Sequence, residues 1–169
     1  MGASGRRGNE GALTVTVKMR VSPDPGALEL LKRYRDAVNY AVGVILAKDL
    51  KTVGEAHREL YEVLKSVFGL PSRIALDCYR DALALVKAWR RNPRRGRRPI
   101  RRRLAMWLSP GTSYRVRDGY VEIIGGYKIQ IIGWDRRYDQ YPSREARLVY
   151  HGGEMHLYIT KQVPKPEEY

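Results

Sequence analysis

Nine arginines stand among the 14 residues 90–103, RRNPRRGRRPIRRR, with no acidic residue between them. A guanidinium binds phosphate through parallel N–H bonds and stacks on bases, which a lysine ammonium cannot do. The charge is local. Residues 1–89 carry 14 basic and 10 acidic side chains, residues 104–169 carry nine and eight, and the whole chain is +14. The expected partner is therefore a polyanion, most simply nucleic acid. Without one, like charges repel and should hold this segment open, and Pro93, Gly96 and Pro99 keep it from being a regular helix. Each phosphate contact would release counterions as the segment orders. Arg90, Arg91, Arg94, Arg95, Arg97, Arg98, Arg101, Arg102 and Arg103 are the first phosphate candidates. Charge alone does not separate RNA from DNA.

Tyrosine is the second class. Tyr114, Tyr120, Tyr127, Tyr138, Tyr141, Tyr150 and Tyr158 all fall in the second half of the chain. Exposed rings on a β-barrel can stack unpaired bases, and tyrosine is also simply a good strand former. About two of the seven are expected to meet bases. Arg136, Arg137, Tyr138 and Arg144, in a polar loop, are better candidates than any strand tyrosine. Catalytic chemistry is sparse. His57 is expected on a helix surface. His151 and His156 flank a hairpin with Glu154, and the set lacks a fourth metal ligand. Cys78 reads as a buried, inert thiol. No phosphate-binding glycine loop or nucleophile elbow occurs, and the carboxylates are scattered. No catalytic residue, metal or cofactor is expected.

The elements that must position these groups follow from length and pattern. A chain of 169 residues, 43% hydrophobic and 30% charged, is one globular domain or two small ones sharing a core. No run reaches the roughly 18 apolar residues of a membrane span, and Arg6-Arg7 has no apolar run behind it to make a secretory signal. One cysteine excludes a disulfide framework, so a cytoplasmic setting is expected. Only three Asn and three Gln fit a heat-adapted source.

Residues 1–12 read as a mobile tail. Leu13–Val21 alternates apolar and polar residues and predicts a half-buried strand. Asp24 and Pro25 then open a helix running to about Asp49 along Leu28, Leu31, Val38, Val42 and Ile45. Thr52 and Glu55 form a capping box for a second helix that ends at Gly69 and Pro71. A third helix starts at Ser72, with Ile74, Cys78, Ala82, Leu85 and Trp89 inward and Asp77, Arg80, Asp81 and Lys87 away from that stripe. Six short strands follow. A lone strand is unstable, so the first must join the later sheet. The expected class is α+β: a small β-barrel (13–22 and 100–163) with a three-helix insertion (23–93), an Arg-rich linker (90–103) and a tail (164–169).

The N-terminal strand, the helices RYRDAVNYAV (33–42) and PSRIALDCYRDALALVKAW (71–89), the basic linker and the hairpin EARLVYHGGEMHLYITKQV (145–163) follow in an order that resembles the N-terminal part of TnpB, also called OrfB. These are transposon-encoded RNA-guided nucleases related to type V CRISPR effectors. The resemblance spans residues 13–163 and lies in order and spacing, since each piece is degenerate. It implies an OB-like wedge barrel with a helical recognition insertion, which hold a structured guide RNA and read a short duplex DNA motif beside the target. It implies that Ser72, Arg73, Leu76 and Arg80 face the motif duplex, with Tyr40 and Lys48 near it. Arg115, Arg117 and Lys128, like the arginine segment, would meet phosphates.

The family's RuvC-like nuclease domain would begin just beyond Tyr169, and no carboxylate here matches its metal-binding set. The expected chain is a fragment, or a derivative without the nuclease. Such a chain binds RNA and DNA as a monomer before loading and does not cut. The alternative is a free-standing helix-turn-helix protein, with helices two and three joined by Gly69-Leu70-Pro71. A scaffold binding an acidic protein or lipid headgroups is a third reading, and the chain has no amphipathic basic helix for the membrane version.

Overall fold

In the computed structural model, which describes residues 12–164, the first strand, β1 (Ala12–Val21), lies inside the sheet rather than at its edge. The other strands are β2 (Leu104–Leu108), β3 (Tyr114–Val116), β4 (Tyr120–Ile123), β5 (Tyr127–Trp134), β6 (Ser143–His151) and β7 (Glu154–Pro164). Their order is β2-β6-β7-β1-β5-β4-β3, antiparallel throughout and curled into a nearly closed barrel. β1 pairs with β7 along its whole length, from Ala12 opposite Pro164 to Val21 opposite Met155. It meets β5 only through Met19, Arg20 and Val21. Ala12 and Pro164, read from sequence as tail residues, are paired strand ends. The rest of both tails lies outside the described residues.

Between β1 and β2 come three helices: α1 (Pro25–Lys48), α2 (Val53–Ser66) and α3 (Ser72–Arg91). Their ends obey local chemistry. Asp24 accepts the Ala27 N–H at 2.8 Å with Pro25 opening the first turn. Thr52 and Glu55 satisfy each other's backbone amides, and α3 stops at Asn92 before Pro93. Leu30, Leu31, Tyr34, Val38, Val42 and Ile45 of α1 share one core with Leu60 and Leu64 of α2 and with Ile74, Cys78, Ala82 and Val86 of α3. The same core continues into Met19, Met106, Leu108, Leu148 and Leu157 of the barrel. The helical insertion and the barrel are thus one hydrophobic unit.

α3 has a second buried side, which the apolar pattern does not show. Asp77 is 3% exposed and accepts hydrogen bonds at 2.6 Å from both Ser109 and Ser113. Asp81 accepts from the Tyr34 hydroxyl at 2.8 Å and from both Nη atoms of Arg101. Both aspartates, expected away from the buried stripe, are inside. Contacts with α1 and α2 cover one side of α3, and β2 with its following turn covers another. Burial raises the Asp77 pKa, with the two serine hydroxyls opposing it. Leu85 and Trp89 are half-buried, and Val86 takes the inner position.

Cys78 is fully buried, and burial pushes its thiol well above the usual value, with Asp81 adding to the shift. Native protein at pH 8 should leave Cys78 unmodified by iodoacetamide for hours, and 8 M urea should expose it within minutes. Labelling at the same rate in both states would place the thiol at the surface.

The α2–α3 turn is docked on the barrel. Arg33 donates to the Gly69 carbonyl at 2.5 Å and to the Tyr127 hydroxyl at 3.0 Å. Gly125, at φ +102°, lets the β4–β5 hairpin approach: a Cβ there would stand 2.8 Å from Pro71 Cγ. This fixes where α3 begins.

Candidate nucleic-acid interface

The outward face of α3 is a basic stripe. Arg73, Arg80, Lys87 and Arg91, spaced seven, seven and four residues apart, are all exposed. At helical rise they cover about 27 Å, and Asp77, between Arg73 and Arg80, is buried against Ser109 and Ser113 rather than exposed among them. Ser72 is exposed in its first turn, while Leu76 is half-buried and packs on the core. The structure therefore brings together Ser72, Arg73 and Arg80. It adds Lys87, which sequence reasoning noted as outward-facing without naming it as a contact. The seven-residue spacing from Arg73 is the signal that would have found it.

Tyr40 is exposed on α1 and lies against Phe68 of the α2–α3 turn, ring centroids 5.3 Å apart. Lys48 pairs with Glu59 of α2, and that hydrogen bond and charge raise its pKa. Lys48 thus links two helices at the surface.

The arginine segment follows directly from α3, and it is not held open. Trp89 Nε1 donates to the Arg97 carbonyl at 2.8 Å. The Arg95 guanidinium lies 4.6 Å over the Trp89 ring and donates to the Arg90 carbonyl. Asn39 of α1 clamps the Arg101 backbone from both sides, at 2.7 and 2.9 Å. Arg98 lies over Gly43, where a Cβ would meet its guanidinium at 3.0 Å. These tethers, with the Arg101–Asp81 pair, oppose the repulsion expected to keep the segment extended.

Arg101 differs from its neighbours. Its side chain is 18% exposed and bidentate to Asp81. Burial works against its charge, and Asp81 outweighs that, leaving the pKa raised. Arg101 is an anchor rather than a phosphate contact. Arg90 reaches Asp49 at 3.1 Å. Arg91, Arg94, Arg95, Arg97, Arg98, Arg102 and Arg103 are exposed.

A third basic surface lines the mouth of the barrel, where β1 runs on beyond the end of β5. The cleft holds about 580 Å³ between Val17 and Met19 of β1, Ile159 and Lys161 of β7, Arg115 and Val116 of β3 and the following Arg117, with Asp118 and Asp139 also in its lining. Trp134, Arg136 and Tyr141 close it. Arg136 sits 4.1 Å over the Trp134 ring, whose Nε1 donates to Asp139. Lys161 is 9% exposed and donates to the Tyr141 carbonyl, and burial lowers its pKa.

The other predicted contacts lie outside this cleft. Arg137 folds onto Asp135 at 2.6 Å within its own 3₁₀ turn. Lys128 lies 5.0 Å over the Tyr120 ring and opposite Glu122, which also pairs with Arg117 at 3.4 Å. Arg144 donates to Gln162. Trp134 and Lys161 were not legible from sequence, because both are ordinary strand residues until the barrel brings them to one opening.

His57 is exposed and shares a hydrogen bond with the Tyr79 hydroxyl at 2.9 Å. Among the described residues, no three His, Cys, Asp or Glu side chains are grouped to hold a metal ion, and no helix is long and apolar enough to cross a membrane. No family model matches the chain.

Proposed function

We propose that this chain is a nucleic-acid-binding module without catalytic activity of its own. It resembles the part of a TnpB-type RNA-guided endonuclease that holds a structured guide RNA and reads a duplex DNA motif. The observation that carries this reading is the run of exposed cations from Arg73 to Arg91, which continues without an acidic residue into Arg94–Arg103. A helix of this width enters a major groove, and the arginines beyond it follow the phosphate backbone. The barrel, with the helices inserted after its first strand, agrees with the wedge-and-recognition arrangement of that family. On this reading the protein works as a cytoplasmic monomer, and any cutting requires a RuvC-like domain.

Anisotropy titrations of a 20-bp DNA duplex and a structured RNA hairpin, at salt from 50 to 400 mM, test the proposal. Affinity for the duplex should fall with a log–log slope of about −0.9 per phosphate contact. Arg73→Ala should weaken a preferred motif by about 1–3 kcal/mol relative to other duplexes. A flat salt dependence would contradict nucleic-acid binding. Two copies on a two-fold duplex site with no affinity for RNA would instead favour the helix-turn-helix reading of α2 and α3.

A further inference from the structure

The outward face of β2-β6-β7-β1 carries a row that lies apart from α3 and meets the arginine segment only at Arg103. Trp107 stands opposite Arg147, Arg147 opposite Tyr158, and Tyr158 opposite Lys18. One side chain from each strand thus gives aromatic, cation, aromatic, cation across the sheet. Lys18 already lies over the Tyr158 ring at 5.9 Å. A groove of about 320 Å³ runs along this row, lined by Trp107, Tyr158, Arg103, Arg147, Thr16 and Thr160. Glu145 also lines it, with its Oε2 buried beneath the surface of the groove.

We infer that this face binds unpaired RNA. The inference rests on the nucleic-acid reading above and adds to it a site and a preference for RNA over DNA. Aromatic side chains stack bases of any sequence, and Arg103, Arg147 and Lys18 balance the phosphates. Thr16 and Thr160 offer hydroxyl partners to a ribose 2′-OH, which DNA lacks.

The test titrates the whole chain with two labelled 12-mers, rU12 and its deoxy counterpart. A 20-bp duplex serves as control. Wild type should bind rU12 about fivefold or more tighter than the DNA strand. Tyr158→Ala should weaken rU12 by about tenfold and leave the duplex within a factor of two. Single-strand binding unchanged in Tyr158→Ala and Trp107→Leu, with duplex binding intact, would overturn the inference and spare the general reading. Equal affinity for the RNA and DNA strands would overturn its RNA specificity. Wild type binding neither single strand nor duplex would remove both.

Discussion

Arg101→Met, with Asp81 left in place, is expected to lower the free energy of unfolding by about 3–5 kcal/mol, the cost of leaving a buried carboxylate without its cation. The side chains are only 18% and 16% exposed, so solvent cannot replace the lost partner. The Tyr34 hydroxyl still donates to Asp81, but one neutral donor does not balance the charge. Urea denaturation at pH 7 measures the loss. Adding Asp81→Asn should recover more than half of it, because the amide oxygen still accepts from Tyr34 and no charge is stranded. A loss below 1 kcal/mol would mean that the pair is open to water.

The same variant has a second readout. Arg101 is where the arginine segment is pinned to α1 and α3, so its removal should speed tryptic cleavage within residues 94–98 under native conditions.

The second large effect is on binding. Arg73, Arg80, Lys87 and Arg91, changed together to Gln, should reduce affinity for duplex DNA by on the order of 100-fold at 150 mM salt and lower the salt slope by about four. All four side chains are exposed, so stability should change little, and circular dichroism checks that. The matched control changes Arg94, Arg97, Arg102 and Arg103 to Gln. If the control lost duplex affinity and the α3 variant kept it, the DNA face would be the linker and not the helix.

Much of the fold was legible because period and punctuation agreed. The alternation over Leu13–Val21, the Thr52–Glu55 capping box and the His151-Gly152-Gly153 hairpin each specify a local structure that the tertiary fold does not override. The isolation of the first strand even gave the topology, since that strand had to pair with the later sheet. The aspartates of α3 were misread because a helical wheel with one apolar stripe assumes one buried face. α3 has two, and the second is polar: Asp77 meets two serines 32 and 36 residues away in sequence. Arg101 could not be told from eight neighbouring arginines by composition. Only the approach of the segment to Asp81 and Asn39 singles it out. The row Trp107–Arg147–Tyr158–Lys18 exists only in the strand register, and no spacing in the chain reveals it.

The arginines of the linker also show how charge and order coexist. Its backbone is held by Asn39 and Trp89, neutral groups that do not depend on salt, while most of its guanidiniums face outward. A polyanion would therefore meet a surface already shaped, with less ordering entropy to overcome than an open linker demands.

The most direct test of the central claim is purification of the protein from its host without added nuclease at moderate salt, followed by sequencing of whatever nucleic acid accompanies it. The account predicts one abundant structured RNA, lost on treatment with ribonuclease and retained on treatment with deoxyribonuclease. Protein that elutes free of nucleic acid, and stays free when offered structured RNA and duplex DNA at 100 mM salt, would contradict it.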